Sequence, residues 1–244
     1  MERLNKLLAR RGVASRRKCD ALIQEGKVKV AGEVITNPAT RVREDAIIEV
    51  EGRLLLRDEI PVYIMFYKPR GYLTTVHDPH GRPTVMEFFK KMPYRVFPVG
   101  RLDYESEGLL ILTNDGEVSY VLMHPRFQVE KKYLVYGAGK IEEEALQFLQ
   151  RGAVIKGVPY RIVSATIRER NTEYTVVEVV LCEGKKHEIR IMFDYLGHPV
   201  LRLIRMSMGP IDLDTSLLPG NWRYLKSDEV RILKEYVKER KIRG

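Results

Sequence analysis

Cysteine is scarce in this chain of 244 residues. Cys19 and Cys182 stand alone, too few and too far apart for a disulfide framework or a metal knuckle, so both read as reduced thiols. No apolar run approaches the roughly 18 residues of a spanning helix, and no signal-peptide pattern opens the chain. The expectation is therefore a soluble, cytoplasmic protein with no membrane partner. A dinucleotide G-x-G-x-x-G loop and a phosphate-loop motif are also missing, which removes the usual sequence signals for nucleotide cofactors. Positive charge, by contrast, is plentiful. Lys plus Arg number 42 against 33 Asp plus Glu, a formal net charge of +9, which favours a polyanionic partner and nucleic acid before an anionic membrane.

The length suits a small domain joined to a mid-sized one, and the boundary is placed near Pro61, giving residues 1–60 and 61–244. Residues 3–11 put Leu4, Leu7 and Leu8 on one helical face and basic residues on the others. Gly12 ends that helix and Ser15 can cap a second, whose apolar face is Ala21, Leu22 and Ile23. Arg16, Arg17 and Lys18 crowd its first turn, where cations oppose the helix dipole. Two readings stand for this cluster, an RNA-phosphate contact and a solvated basic face. Lys27–Val30 alternates polar and apolar, Ala31-Gly32 reads as a turn and Val34-Ile35 as the return, so a hairpin follows. Residues 52–61 lead out of this module.

In the second part, Val62–Tyr67 reads as a strand stopped by Lys68-Pro69-Arg70-Gly71. The loop after it carries His77, Asp78, His80 and Arg82; a metal reading lacks further ligands, and an RNA-contacting loop is the preferred alternative. The central stretch is Gly100-Arg101-Leu102-Asp103-Tyr104-Glu105-Ser106-Glu107, followed by the apolar run Leu109–Leu112 and the turn Asn114-Asp115-Gly116. The run reads as a strand buried on both faces, and a loop entering such a strand is a rigid shelf for a functional group. From the residues alone, the acidic turn is equally well a solvated one. Residues 117–123 suit a short helix stopped by His124-Pro125, 129–136 a strand, 141–151 a helix with Ala145, Leu146 and Leu149 inward, and three β-rich runs follow through Cys182. Val230–Arg240 reads as an amphipathic terminal helix.

The stretch G-R-L-D-Y-E-S-E-G-L-L-I-L-T-N-D-G resembles the central motif of the ribosomal pseudouridine synthases of the RsuA/RluB type, with Ser106 where many members have Thr and Ile111 where many have Leu. Lys68-Pro69-Arg70-Gly71, the element around Tyr133, and Glu183-Gly184-Lys185-Lys186-His187-Glu188-Ile189-Arg190-Ile191-Met192-Phe193 resemble further motifs, as do Val200–Arg205 and Met208–Ile211. Ile191 departs from the second arginine that often stands there. The front 50 residues resemble the helix-and-hairpin RNA-binding module first seen in a ribosomal small-subunit protein.

The resemblance implies an α+β protein: a small α/β RNA-binding module, then a catalytic domain with a mixed, largely antiparallel sheet flanked by helices. It implies isomerisation of a uridine to pseudouridine in rRNA, large-subunit rRNA first and small-subunit rRNA as the alternative, with no cofactor and no metal. Asp103 would be the catalytic aspartate, Arg190 the arginine paired with it, and Tyr133 the ring that stacks on the flipped base. Arg101, Ile189, Leu203, Lys68 and Arg205 would bind substrate; Arg16, Arg17, Lys18, Lys185 and Lys186 would bind RNA. His187 would serve structure or RNA contact. The expected partner is rRNA in a ribosome-assembly intermediate, met by a monomer. Two other classes stay open: a glycosidase using Asp103 with Glu105 or Glu107, and a non-catalytic assembly factor.

Overall fold

The structure is a computed structural model that describes residues 1–55 and 60–243. Much of the segment read as leading out of the first module, residues 56–59, lies outside the described residues. The chain separates into two compact units, Met1–Val62 with Pro93–Val96 and Asn114–Gly116, and Tyr63–Met92 with Phe97–Thr113 and Glu117–Gly244.

In the first unit, helix α1 is Leu4–Arg10 and α2 is Arg16–Gln24. Gly12 takes a φ of 77° just beyond α1, a left-handed turn that glycine adopts without steric cost. Ser15 accepts from the backbone N of Lys18 at 3.3 Å and caps α2. Leu4, Leu7, Leu8, Cys19 and Ile23 close a core over Val28 and Ile48, whereas Ala21 and Leu22 are only half-buried. Strands β1 (Val28–Val30), β2 (Glu33–Val34), β3 (Ile48–Val50) and β4 (Arg53–Leu54) form a sheet in the order β2-β1-β3-β4. Ala31 and Gly32, at φ 50° and 86°, make the tight turn of the β1–β2 hairpin.

The second unit is built on a nine-stranded sheet. Its strands are β5 (Tyr63–Lys68), β6 (Phe97–Val99), β7 (Glu107–Thr113), β8 (Lys131–Ala138), β9 (Ser164–Arg170), β10 (Tyr174–Leu181), β11 (Val200–Met208), β12 (Ile211–Asp212) and β13 (Trp222–Tyr224). The order is β9-β10-β8-β11-β7-β5-β13, with β6 on β7 and β12 on β11. Only β11 and β7 run parallel, through Ile204 opposite Glu107 and Arg205 opposite Gly108; the other pairs are antiparallel. The expected α+β class with a mixed, largely antiparallel sheet is borne out.

Strand β7 is buried at every residue, as its unbroken apolar run requires, and it begins at Glu107, ahead of the run. A Cβ on Gly108 would meet the Arg205 backbone, its nitrogen at 2.6 Å, and Gly108 has a φ of 103°. Glycine at this position is therefore what lets β7 and β11 approach. Helices α3 (Gly116–Met123), α4 (Glu143–Arg151), α5 (Glu188–Tyr195) and α6 (Ser227–Arg243) accompany the sheet. Leu146 and Leu149 of α4 point inward and Ala145 is half-buried. Between α4 and the end of β10 there are four strands rather than three, because Ala153–Ile155 and Val158–Tyr160 make a separate short hairpin. Strand β8 starts at Lys131, later than the expected Val129.

Candidate active site

The loop that enters β7 is fixed from beneath. Lys68, the last residue of β5, is fully buried, and its Nζ donates to the carbonyls of Pro69 at 3.0 Å, Asp103 at 3.1 Å and Ser106 at 2.8 Å. Burial pulls this ammonium down to about 8; the charges of Asp103, Glu105 and Glu107 resist that fall. Three further contacts hold the same loop. Thr74 Oγ1 donates to the Leu102 carbonyl at 2.7 Å and accepts from its N–H at 3.2 Å, Gly71 N donates to the Tyr104 carbonyl at 2.9 Å, and Arg70 pairs with Glu105 at 2.5 Å. The main chain on both sides of Asp103 is thus occupied while its carboxylate is left one-third exposed.

That carboxylate borders a cleft of about 130 Å³. The loop contributes Arg101, Asp103 and Ser106; β8 contributes Tyr133, β11 contributes Leu203, and the segment entering α5 brings Lys185 through Arg190. Tyr133, Ile189 and Leu203 are each at least nine-tenths buried, so they offer an aromatic and two aliphatic surfaces to anything that enters. His187, in the left-handed conformation at φ 55°, aims Nε2 at Asp103 Oδ1 from 3.6 Å. Glu188 is buried, accepts from the Lys185 N–H at 3.0 Å, and has its other oxygen without a partner among the described residues; burial pushes its carboxyl up. A cleft of mixed lining, with an aromatic and two aliphatic side chains beside one accessible carboxylate, can present that oxygen to the sugar of a nucleoside whose base lies against them.

A family model described as RNA pseudouridylate synthase matches residues 62–195, and one described as S4 domain matches residues 2–48. The chain belongs to the RNA pseudouridylate synthase family. It is 40% identical to the ribosomal large subunit pseudouridine synthase B of Bacillus subtilis (strain 168), covering 96% of both chains. It is 41% identical to an uncharacterized RNA pseudouridine synthase of Aquifex aeolicus (strain VF5), covering 93% of this chain and 92% of that one. A crystal structure of a pseudouridylate synthase superposes with a TM-score of 0.67 at 30% identity, over 96% of this chain and all of that one.

Against this synthase fold, several positions differ from expectation. Arg190 does not pair with Asp103: its guanidinium donates to the carbonyls of Glu105 at 3.2 Å and Val200 at 3.1 Å, two acceptors that take up the fork. The side chain facing the aspartate carboxylate among the described residues is the His187 imidazole instead. Lys68 and Arg205 are not open to substrate. Arg205 is 1% exposed, with Nε on the Leu109 carbonyl at 2.8 Å, Nη1 on the Arg101 carbonyl at 3.5 Å, and Nη2 unpartnered among the described residues. Both cations lie under the loop and grip its carbonyls. Lys185 turns its ammonium to the Pro159 carbonyl at 2.7 Å, to Glu183 and to the face of Tyr160, so it braces the short hairpin; Lys186 is exposed.

Arg101 is exposed beside the cleft, and Arg16, Arg17 and Lys18 are exposed on α2 of the first unit. Asp78, read within a loop of metal-like spacing, is held by Arg82 at 2.8 Å and by the N–H groups of His80 and Arg82, which keep its carboxyl well below the usual range. No metal-like cluster of His, Cys, Asp or Glu occurs among the described residues, and no described helix is long and apolar enough to cross a membrane. Sequence reasoning missed Thr74, one of two adjacent threonines in a loop with no spacing signal, and read His187 as serving structure or RNA contact without placing it at the aspartate.

Proposed function

We propose that the chain isomerises a uridine to pseudouridine in ribosomal RNA, of the large subunit, with Asp103 as the acting carboxylate. The observation that carries the reading is the combination at one cleft of an accessible Asp103 on a clamped backbone with the buried ring of Tyr133. A uridine flipped out of its helix would lay its base against Tyr133, Ile189 and Leu203, stacking being worth about 1–3 kcal/mol per base. The ribose would then face Asp103, which either attacks the anomeric carbon or removes a neighbouring ribose proton. The glycosidic C–N bond breaks, the uracil turns in the cleft, a C–C bond forms from its carbon 5 to the anomeric carbon, the proton on carbon 5 leaves, and the freed N1 takes one up, so the product has the same atoms as the substrate. Arg190 serves by fixing the carbonyl of Glu105, two residues beyond the aspartate. Residues 1–60 act as the RNA-binding module, with Arg16, Arg17 and Lys18 on phosphates, and the protein meets a ribosome-assembly intermediate as a cytoplasmic monomer.

The large-subunit assignment rests on the Bacillus subtilis relative. The glycosidase reading needs a second carboxylate across the cleft, whereas Glu105 is paired with Arg70 and Glu107 with Arg202 at 2.7 Å. The test is to incubate the protein with large- and small-subunit rRNA lacking modifications and map carbodiimide-dependent reverse-transcription stops. A new stop in large-subunit rRNA is the expected result; stops only in small-subunit rRNA would move the substrate. No stop in either would favour the assembly factor.

A further inference from the structure

A second surface of the catalytic unit has the chemistry of a nucleotide-stacking site. At the end of α3, Tyr120 and Met123 are each 46% exposed. The Tyr120 ring lies 5.0 Å from that of His124 and 5.6 Å, edge on, from that of the buried Phe127. Arg126 places its guanidinium 4.4 Å from the Phe127 centroid and 5.7 Å from that of Tyr120. Neither an ion pair nor a side-chain hydrogen bond occupies that guanidinium among the described residues, so a planar, exposed fork of donors is set in place by rings alone. His124, itself exposed, accepts at Nδ1 from the Arg126 N–H at 3.3 Å. The basic last turn of α6 arrives beside it: Arg240 donates to the Phe127 carbonyl at 3.0 Å, and Glu117 of α3 is paired with Lys241. Exposed aromatic faces beside unpaired arginine are what unstacked RNA bases and their phosphates require.

The surface also has a defined relation to the cleft. Met123 Cγ lies 3.9 Å from where a Cβ of Gly100 would stand, and Gly100 is three residues before Asp103, a chain reach of at most about 10 Å. We infer that Tyr120, His124 and Arg126 hold an unpaired nucleotide flanking the target uridine, Tyr120 by stacking on its base and Arg126 by bonding its phosphate. This rests on the proposed RNA substrate and adds a subsite outside the reacting cleft.

The test uses the full chain with two probes, an unmodified large-subunit rRNA transcript and a short oligouridylate, read by filter binding across a salt series and by pseudouridine mapping. Tyr120→Leu should weaken binding about tenfold and raise KM with kcat within twofold, while Tyr120→Phe behaves as wild type. Arg126→Met should weaken binding and flatten the slope of log affinity against log salt by about 0.7–0.9, with an unchanged thermal midpoint. Wild-type affinity and slope in both Tyr120→Leu and Arg126→Met would overturn the inference and leave the patch to a protein partner. Should Tyr120→Leu misfold, Arg126→Met decides, since Arg126 is exposed and its guanidinium lies over ring faces. If wild type makes no pseudouridine yet the variants still lose binding, the proposed reaction fails and the RNA surface stands.

Discussion

Lys68 Nζ donates to the main-chain carbonyl of Asp103 at 3.1 Å, so a fully buried ammonium holds the backbone of the aspartate and leaves its carboxylate free. Replacing Lys68 by Met would leave the carbonyls of Pro69, Asp103 and Ser106 without their shared donor. A buried acceptor stripped of its partner costs about 1–3 kcal/mol. Lys68→Met should thus lower stability by about 3 kcal/mol in denaturant unfolding and reduce kcat more than tenfold, with RNA affinity little changed. Wild-type kcat in a folded Lys68→Met protein would release the loop from this dependence.

The same lysine gives a pH signature with two opposite signs. Its native value is lowered to about 8 from an ordinary 10.5, so between those values the unfolded chain binds more protons and stability rises with pH. Turnover should move the other way, falling as pH rises through about 8, because a neutral amine has two hydrogens for three carbonyls. Lys131, lowered to about 8 by burial, adds to the stability rise, so the Lys68 share is the difference between wild type and Lys68→Met. Single-turnover rates and denaturant midpoints between pH 6.5 and 9.5 check both; parallel rather than opposed trends would contradict the clamp.

Asp103→Asn should abolish isomerisation, by on the order of 10⁴ or more, while RNA affinity stays within a few-fold. The measurement is carbodiimide mapping beside filter binding. Near-normal turnover in this variant would remove Asp103 from the mechanism.

Gly108→Ala should destabilise the catalytic unit by about 2–4 kcal/mol, since the new methyl meets the Arg205 backbone at a positive φ. Thermal and denaturant midpoints report it. A change under 0.5 kcal/mol would mean that β7 and β11 can part without consequence.

Changing Arg16, Arg17 and Lys18 together to Ala should flatten the salt slope of rRNA binding by about 2–3, because each phosphate left unneutralised takes about 0.7–0.9 from it. Their side chains are exposed, so folding should be unaffected. An unaltered slope would mark the cluster as a merely solvated face.

Several features were legible in order along the chain because each is set by neighbours in sequence. The α1–α2 pair follows from Leu spacing, Gly12 and the Ser15 cap, the β1–β2 hairpin from Ala31-Gly32, and β7 from an apolar run that only a doubly covered strand tolerates. The motif around Asp103 likewise pointed to the family by itself. What sequence could not determine was which way the long cations point. Lys68, Arg205, Arg190 and Lys185 all read as substrate, RNA or carboxylate contacts, yet each ends on main-chain carbonyls far away in sequence. A flexible stem can reach water or turn inward at little intrinsic cost, and the choice depends on which carbonyls the crossing of β5, β7 and β11 leaves without strand partners. The meeting of Tyr120 and Arg126 with the basic end of α6 was equally beyond reach, since Phe127 and Arg240 become neighbours only when the helices pack on the sheet. Local patterning dictated the elements and the position of the aspartate; tertiary packing decided which charges face the cleft and which brace the loop beneath it.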